Sequence, residues 1–502
     1  MYILAQYTIR SKQEYIFRSN RMAEMIGASD HISKSWEILF EQAEKTGKKV
    51  RRLSEQKRFD IDEVKAAFKN HALHMVDLFQ GGGNDTVLFD SKESYLEVNR
   101  QFSYYLMKNY PGMIPMAVCC EYTGDYQKDY KRLMEEADRE KNRMISGQSS
   151  FILPFSMMDR TSFQPYSRVI SYEGRPVRIT EEGYVKRKRG QEISKEDPTV
   201  KILDDMITKK GEESLLAVIH GDGNNMGVKI SRMLENVQDY NTCIEKMRQF
   251  TADTRRAFVE EGIQAMKQCQ ERLREENPDL QNSSRFLYRI LIAEGDDLTF
   301  VCNARFAMDY AKAYLKSVQS FHKRHGSDWR YSSCVGICIF HSHYPFSRAY
   351  SMAEQACSDS AKERVHTGGK EVREEGWVDF HYIHNGIGGD LSEVRRKQGT
   401  DRCMARPWRV TGGNGTGEND YGKLEKLNEL FIKYQVSRGD IKTIGNECEN
   451  RLSDGKQELI RIYGHHGGLQ KEAEAEFPNQ NQLLKSVYDL SEVYDLWFKE
   501  GR

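Results

Sequence analysis

The chain lacks an excess of charge of either sign and has no long apolar segment. Lys+Arg and Asp+Glu each total 75 of 502 residues, so the formal net charge is zero. A protein that mainly coats nucleic acid carries a strong basic excess. The charge balance therefore argues against that class, although it does not exclude a local basic groove. No apolar run approaches the length of about 18 residues that a membrane span needs, so we expect no membrane association.

Export signals and cysteine pairs are also missing. The first residues, MYILAQYTI (1–9), are too short and too strand-like for a signal sequence. None of the ten cysteines forms a CxxC pair. This pattern favours buried, reduced thiols, with a structural zinc site built from scattered cysteines as the alternative. Both features predict a cytoplasmic protein.

What the chain does contain is the same order of elements twice, namely strand, helix, hairpin, helix, strand, helix. The hairpin of the first block is HALHMVDLFQ-GGG-NDTVLFD (71–90), and that of the second is FLYRILIA-EGDD-LTFVC (286–302). In each, glycine between two apolar runs supplies backbone angles that other residues resist. A repeat of about 200 residues is far longer than a solenoid period and indicates a duplicated domain.

The pattern predicts an α+β protein with a helical C-terminal domain. Within the first block we expect a helix over about 11–26 that ends at Gly27, and in the second a long helix over about 241–275. The basic stretch YVKRKRGQE (184–192) is interpreted as a solvated loop, with a phosphate contact as the alternative. The expected domains are a first domain at 1–150, an irregular linker at 151–210, a second domain at 211–412 and the helical domain at 413–502.

The sharpest chemical feature is Glu294-Gly295-Asp296-Asp297 at the tip of the second hairpin. Carboxylates at a hairpin tip are exposed yet held by a rigid sheet, and they repel each other unless a cation neutralises them. Hard oxygen ligands in this number suit Mg²⁺ or Mn²⁺. Taken alone, the same residues are also typical of an ordinary polar turn.

A second motif, HGDGNNMG (220–227), strengthens the metal interpretation. Asp222 stands where the apolar strand SLLAVIHGD (214–222) meets a glycine-rich turn. If this strand neighbours the hairpin, Asp222 and Asp296 converge at one end of the sheet, which is the minimal frame for two-metal phosphoryl chemistry. The glycines would let backbone N–H groups approach a triphosphate.

Two further features are weaker. Lys362 lies in the helix after the third strand of the second block and could hold phosphates as a point charge, although most helix lysines are solvated. The first block carries Gly81-Gly82-Gly83-Asn84 where the second carries EGDD. Such a tip could accept a nucleotide without activating a metal, or it could be a plain hairpin turn.

These motifs together resemble those of the large polymerase-cyclase subunit of type III CRISPR effector complexes, and more distantly the GGDEF diguanylate cyclases. The resemblance covers about residues 1–385 and keeps the motif order. The motifs that carry it are QEYIF (13–17), GAS (27–29), GGGN (81–84), GDGNNMG (221–227), EGDD (294–297) and HSHYPFSRAYSMAEQACSDSAK (341–362).

The resemblance implies two ferredoxin-like palm domains that face each other, with ATP as the usual substrate and a cyclic or oligomeric nucleotide signal in antiviral defence as the product. It assigns Asp222, Asp296 and Asp297 to catalysis and to a two-metal Mg²⁺ or Mn²⁺ site. The residues that it assigns to nucleotide binding are Gly221, Gly223, Asn224, Asn225, Lys362, Ser29, Gly81, Gly82, Gly83 and Asn84. RNA or effector subunits are the implied activators, and two palms in one chain suggest that a monomer suffices.

The chain departs from the family pattern in three places. Glu294 replaces the first glycine of the GGDD turn, the cysteine-rich insertion between the palms is missing from 151–210, and there is no N-terminal HD nuclease domain. We therefore expect a short, free-standing homologue. Two alternatives stay open: a catalytically silent palm protein that binds nucleotide or RNA as a sensor or scaffold, which Glu294 favours, and a template-dependent polymerase.

Overall fold

The computed structural model describes residues 1–52, 58–144, 155–160, 162–172, 174–196, 206, 214–277, 287–366, 373–384, 388–413 and 417–496. Contacts divide the chain into two compact units. Unit 1 comprises Met1–Ile202 and Met226–Arg255, and unit 2 comprises Leu203–Asn225 and Arg256–Arg502.

The sheet of unit 1 has the strand order β2-β3-β4-β1-β5. Its strands are β1 (Ile3–Arg10), β2 (Val50–Arg51), β3 (Met75–Gly81), β4 (Asn84–Phe89) and β5 (Ile114–Glu121). Strand β1 pairs antiparallel with both β4 and β5, and β3 and β4 form the predicted hairpin. This β3-β4-β1-β5 order, with helices after β1 and β4, is the ferredoxin-like arrangement, and it confirms the fold expected for the first block.

Seven helices of unit 1 precede or follow these strands in the described residues up to 196. They are α1 (Lys12–Phe17), α2 (Met22–Ser33), α3 (Ser35–Lys45), α4 (Ile61–Lys69), α5 (Lys92–Asn109), α6 (Tyr126–Arg143) and α7 (Glu181–Glu196). Local sequence sets several starts, since the side chains of Asp60 and Ser91 accept hydrogen bonds from the first free N–H groups of α4 and α5.

Gly27 does not end a helix, contrary to the sequence-based expectation. It lies in the middle of α2, where a methyl carbon at its position would come within 1.9 Å of the carbonyl oxygen of Lys186. On the facing helix α7, a methyl carbon at Gly190 would lie 1.8 Å from the carbonyl oxygen of Ala23. The two glycines therefore let the backbones of α2 and α7 touch. A glycine that permits close approach and one that stops a helix look the same in a single sequence.

The region that we expected to be irregular contains an antiparallel hairpin, β6 (Tyr166–Tyr172) and β7 (Arg175–Thr180), followed by α7. The basic stretch 184–192 is thus helical rather than a loop. Lys186 is buried there: its ammonium pairs with Glu182, donates to the carbonyl oxygen of Tyr15 and lies 3.7 Å from the Tyr15 ring centroid. Burial lowers the pKa of Lys186 to about 8, although the Glu182 carboxylate opposes this shift.

The sheet of unit 2 has the strand order β13-β12-β11-β8-β10-β9. Its strands are β8 (Leu215–Gly223), β9 (Tyr288–Glu294), β10 (Asp297–Asn303), β11 (Ser333–His341), β12 (Gly376–Tyr382) and β13 (Trp408–Thr411). The order β9-β10-β8-β11 repeats that of unit 1, which confirms the predicted duplication. Strand β12 extends the sheet in parallel with β11.

Met226–Arg255, which we expected in the second domain, instead clusters with unit 1. It forms α8 (Met226–Leu234) and α9 (Tyr240–Arg255). The Arg248 guanidinium donates to the carbonyl oxygen of Leu78 over 2.6 Å, and Thr251 packs directly on Gly81. The predicted helix over 241–275 is interrupted by a π-helical turn at Arg256–Glu260, and α10 (Glu261–Glu276) continues in unit 2. The predicted domain boundaries stay predictions.

The remaining helices of the described residues belong to unit 2. They are α11 (Ala307–His325), α12 (Phe346–Ala356), α13 (Lys362–His366), α14 (Leu391–Gln398), α15 (Thr400–Cys403), α16 (Tyr421–Lys433), α17 (Arg438–Asn450), α18 (Leu452–His465), α19 (Leu469–Glu476) and α20 (Gln480–Val493). The last five confirm the predicted helical C-terminal region. A buried ion cluster joins it to the sheet: Arg406 donates to Asp489 over 3.0 Å and lies 3.7 Å from Asp379 of β12.

The cysteine expectation agrees with the structure. All ten cysteines are free thiols, and most of them are buried. Among the described residues no helix combines the length and the apolar character that crossing a bilayer requires.

Candidate active site in unit 2

The EGDD turn closes the β9–β10 hairpin. Glu294 is the last residue of β9 and pairs with Asp297, the first residue of β10, while Gly295 adopts a left-handed φ of 60°. Asp296 therefore lies at the tip itself, and Asp297 lies where the strand begins. The turn has the hairpin geometry that the sequence predicted.

Asp222 lies at the same end of the sheet because β8 is the neighbour of β10. The antiparallel register pairs Gly221 with Leu298, which places Asp222 beside Asp297. Because Gly223 has no side chain, the hairpin tip can approach β8 closely. A methyl carbon at Gly223 would lie 2.8 Å from Asp296 Oδ2. The structure thus brings together the three carboxylates that the sequence singled out.

The surroundings of Asp297 disfavour a negative charge on its carboxyl group. Its pKa is raised well above the usual range, first by burial and then by Asp222, Asp296 and Glu294. Its Oδ1 atom is buried and accepts no hydrogen bond from the described residues. His220 Nδ1 is 3.4 Å from this atom, but burial lowers the pKa of His220 to about 4, so the ring is neutral at neutral pH. A cation bound at this end of the sheet would stabilise the ionised carboxylate.

Lys362 lies against Asp222. Its ammonium donates to Asp222 Oδ2 and, over 3.0 Å, to the carbonyl oxygen of Gly223. Burial alone would lower the pKa of Lys362, but Asp222 together with the Cys357 and Cys334 side chains outweighs burial, and the pKa is raised. A π-helical turn, Cys357–Ala361, precedes Lys362, and the Cys357 thiol donates to the carbonyl oxygen of Cys334 on β11 over 3.2 Å. Such insertions reorient helical side chains and often lie at functional sites.

Asn224 and Gly221 of the 221–225 motif are packed within unit 2. The Asn224 side chain donates to Ser332 Oγ over 3.0 Å and to the carbonyl oxygen of Glu375 over 2.9 Å. A methyl carbon at Gly221 would lie 2.9 Å from the Tyr314 ring. Asn225 adopts a left-handed φ of 57°, and its buried Nδ2 has no acceptor in the described part of the chain. Their assignment to nucleotide binding stays a prediction.

The donor set suits a divalent metal, although no cluster of three or more His, Cys, Asp or Glu side chains is pre-arranged for one among the described residues. The observations that favour a metal are the unsatisfied Asp297 Oδ1 and the Asp296 carboxylate that lies against Gly223. Several oxygen donors without a thiol are what Mg²⁺ and Mn²⁺ prefer. Asp222 is at present neutralised by Lys362 rather than left open.

The GGGN turn of unit 1 differs from the EGDD turn. Gly82 and Gly83 have left-handed φ angles of 58° and 68°, and the space beside Gly82 is open within 4 Å. The Lys12 ammonium donates to the carbonyl oxygen of Gly83 over 2.6 Å. Ser29 is half-buried in α2. Asn84 starts β4 and pairs with Gly81.

Sequence reasoning missed Glu354 and the role of His220. Glu354 lies on α12, and its charge contributes to the raised pKa of Asp297, while burial raises its own pKa. His220 also bonds Thr299 Oγ1 through Nδ1 over 3.0 Å. No spacing in the sequence could reveal Glu354, because only the packing of α12 brings it to the site. His220 could have been found, since it is two residues before Asp222 on the same strand.

The comparisons with known proteins agree with this geometry. Residues 215–370 match the family described as Cas10/Cmr2, second palm domain. None of the curated proteins matches the chain.

Several solved structures are similar to it. The crystal structure of a Csm1–Csm4 cassette in complex with cA4 has a TM-score of 0.49 at 13% identity and covers 98% of this chain and 69% of its own. The cassette in complex with pppApA has a TM-score of 0.48 at 13% identity, with the same coverage of 98% and 69%. Csm1 of T. onnurineus has a TM-score of 0.48 at 14% identity, again over 98% and 69%.

The matched segment contains β8, the β9–β10 hairpin, β11 and Lys362, which are the elements that build the acidic site. Residues 215–370 of the chain thus match the second palm domain of Cas10/Cmr2.

Proposed function

We propose that the chain is a metal-dependent nucleotidyltransferase that joins ATP, or another nucleoside triphosphate, into a cyclic or oligomeric nucleotide. The observation that supports this most directly is the strand pairing that puts Asp222, Asp296 and Asp297 at one end of the unit 2 sheet. The match of this segment to the second palm domain of Cas10/Cmr2 agrees with a nucleotide cyclase type of fold.

In this proposal Asp222, Asp296 and Asp297 hold two Mg²⁺ or Mn²⁺ ions. When bound, the metals would lower the pKa of the attacking ribose hydroxyl and neutralise charge on the α-phosphate and the leaving pyrophosphate. The protein's own contribution is to hold the carboxylates at a rigid hairpin tip, so that little reorganisation is needed during the reaction. The His220 ring is held by Thr299, and because burial lowers its pKa to about 4 it adds no positive charge beside Asp297 at neutral pH.

Lys362 binds the phosphates of the triphosphate as a point charge. An ammonium on a flexible stem can follow phosphate oxygens without the fixed geometry that a guanidinium requires. Its present position against Asp222 puts it at the acidic site already.

The GGGN turn is proposed to bind a second nucleotide through unit 1. Gly82→Asn adds a side chain to the open face of the turn, and asparagine can adopt the left-handed backbone angle that Gly82 has. We expect this variant to bind an ATP analogue less well at this turn. Gly47→Asn is the matched control, since Gly47 also has a left-handed φ, of 81°, and open space within 4 Å. Equal nucleotide stoichiometry in both variants and the wild type would contradict this assignment.

The biological setting follows from the family resemblance. We propose a role in CRISPR-like antiviral defence, with RNA or effector subunits as activators. Addition of target RNA to the activity assay tests this point, because a free-standing enzyme would need none.

The central test is incubation of the protein with ATP, GTP and Mg²⁺ or Mn²⁺, with products resolved by mass spectrometry. We expect linked nucleotides and pyrophosphate from the wild type. Asp296→Ala should reduce the rate by on the order of 100-fold or more, because it removes charge stabilisation at the reacting centre. Asp328→Ala is the control, since Asp328 is an exposed carboxylate elsewhere in unit 2. Wild-type product formation by Asp296→Ala would show that the site is assigned wrongly.

A catalytically silent nucleotide or RNA binder is the second candidate. The ion pair between Asp222 and Lys362 and the presence of Glu294 in the turn favour it. Tight ATP or RNA binding without any product, across both metals and with RNA present, would support this candidate against the enzyme.

A further inference from the structure

Lys362 and a divalent metal compete for one carboxylate. The Lys362 ammonium donates to Asp222 Oδ2, on the side chain that the proposed function assigns to metal, and also to the carbonyl oxygen of Gly223 over 3.0 Å. The Lys362 side chain is 18% exposed and that of Asp222 is 36% exposed, so the ammonium is the more sheltered partner of the pair. A metal ion that approaches Asp222 must therefore displace an ammonium.

The surroundings leave Asp222 as the anion that retains Lys362 here. The other titratable groups that act on the ammonium include His220, Cys334 and Cys357. The hydrogen bonds that Lys362 donates go to Asp222 Oδ2 and to the uncharged carbonyl oxygen of Gly223.

We propose that Lys362 is an internal counter-ion that blocks divalent metal binding at Asp222 until a triphosphate draws the ammonium away. This inference rests on the proposed function, since it takes Asp222 as a metal ligand. A triphosphate presents several charged oxygens, and hydrogen bonds between two ionised groups are strong, so it can outcompete a single carboxylate for the ammonium. Lys362 thereby has a second role: it makes triphosphate binding precede metal binding at Asp222.

Two physical consequences follow. Without nucleotide, metal binds weakly, because a divalent cation must overcome both the ion pair and repulsion from the ammonium. With triphosphate in place, Asp222 is released and joins Asp296 and Asp297 as a ligand. The two binding events are then positively coupled, and the coupling is reciprocal. The site would stay closed to metal when no substrate is present.

The test measures Mn²⁺ binding to nucleotide-free protein by electron paramagnetic resonance of the free ion. We expect Lys362→Met to bind Mn²⁺ at least about tenfold more tightly than the wild type, which corresponds to about 1.4 kcal/mol. Lys362→Gln should show the same gain and serves as a second variant if the first is poorly folded by circular dichroism. Lys323→Met removes one exposed positive charge from the same unit and should leave Mn²⁺ affinity unchanged.

The double variant Asp222→Asn/Lys362→Met tests whether the tighter Mn²⁺ binding occurs at Asp222. We expect it to bind Mn²⁺ less tightly than Lys362→Met, because the carboxylate is removed. Equal, weaker or undetectable Mn²⁺ binding in both Lys362 variants overturns the inference, as does a gain that survives in the double variant. These outcomes are separate from the proposed function. If Lys362→Met binds Mn²⁺ more tightly but the wild type forms no nucleotide product, the enzyme hypothesis is rejected and the counter-ion role of Lys362 is supported. If the wild type forms product but Lys362→Met does not bind Mn²⁺ more tightly, the counter-ion role is rejected and the enzyme hypothesis is supported.

Discussion

Gly223 and Asp296 are so close that no side chain fits between them. A methyl carbon at Gly223 would lie 2.7 Å from Asp296 Cβ and 2.8 Å from its Oδ2 atom. The glycine at the end of β8 therefore determines where the carboxylate at the hairpin tip can lie. This contact, rather than flexibility, gives the second glycine of the GDG motif its role.

Gly223→Ala should displace the Asp296 carboxylate and abolish nucleotide joining in a protein that still folds. Adding a methyl group to a packed contact costs about 1–3 kcal/mol, which the unit can tolerate. Gly227→Ala is the control, because the space beside Gly227 is open within 4 Å. Pyrophosphate release measures both. Equal rates in Gly223→Ala and the wild type would show that Asp296 need not occupy its present position.

Lys362→Ala should weaken triphosphate binding by about 1.5–3 kcal/mol, the range for a hydrogen bond to a charged group. Calorimetry with ATP in the presence of a metal chelator isolates this contribution, since the same substitution is expected to favour metal binding at Asp222. An unchanged ATP affinity under these conditions would remove Lys362 from the phosphate site.

Gly27→Ala should destabilise unit 1, because its methyl group would meet the Lys186 carbonyl oxygen at 1.9 Å and force α2 away from α7. We expect a loss of about 1–3 kcal/mol in the free energy of unfolding, measured by urea denaturation. Gly227→Ala, also in a helix of unit 1, should instead be neutral or stabilising by up to about 1 kcal/mol. If the two variants behave alike, the helix contact is not tight.

His381 should make unit 2 sensitive to acid. Burial lowers its pKa to about 3 from an ordinary 6.5, so between these values the unfolded state holds a proton that the folded state does not. The stability contribution is fully present above pH 6.5 and is lost as the pH falls towards 3. At pH 5 the loss would be about 2 kcal/mol.

The test is His381→Leu, which should flatten the fall in unfolding free energy between pH 7.5 and pH 5. It should also leave stability at neutral pH unchanged or raised, since neither ring nitrogen of His381 has a hydrogen-bond partner in the described residues. His465→Leu replaces an exposed histidine of unit 2 and should keep the wild-type pH profile. An identical acid response in the wild type and both variants would show that His381 is not the titrating group.

The sequence by itself determined the parts of this protein that depend on neighbours along the chain. Two apolar runs around GGG or EGDD specify a hairpin, because left-handed glycines and alternating burial act within a few residues. The equal order of elements in the two blocks predicted two similar sheets. The position of Asp222 at the end of an apolar strand predicted its approach to Asp296 and Asp297.

Only the tertiary structure decided which of those residues contact one another across long distances in the chain. Gly27 was expected to end a helix but permits helix contact, because its partner Lys186 is about 160 residues away. Met226–Arg255 follows the acidic strand of unit 2 yet packs with unit 1, and Glu354 reaches the site only through the packing of α12. The pairing of Lys362 with Asp222 likewise depends on a π-helical turn, which no local propensity specifies. Such contacts reflect the shape of the packed elements, and that shape is set by the whole fold rather than by any single segment.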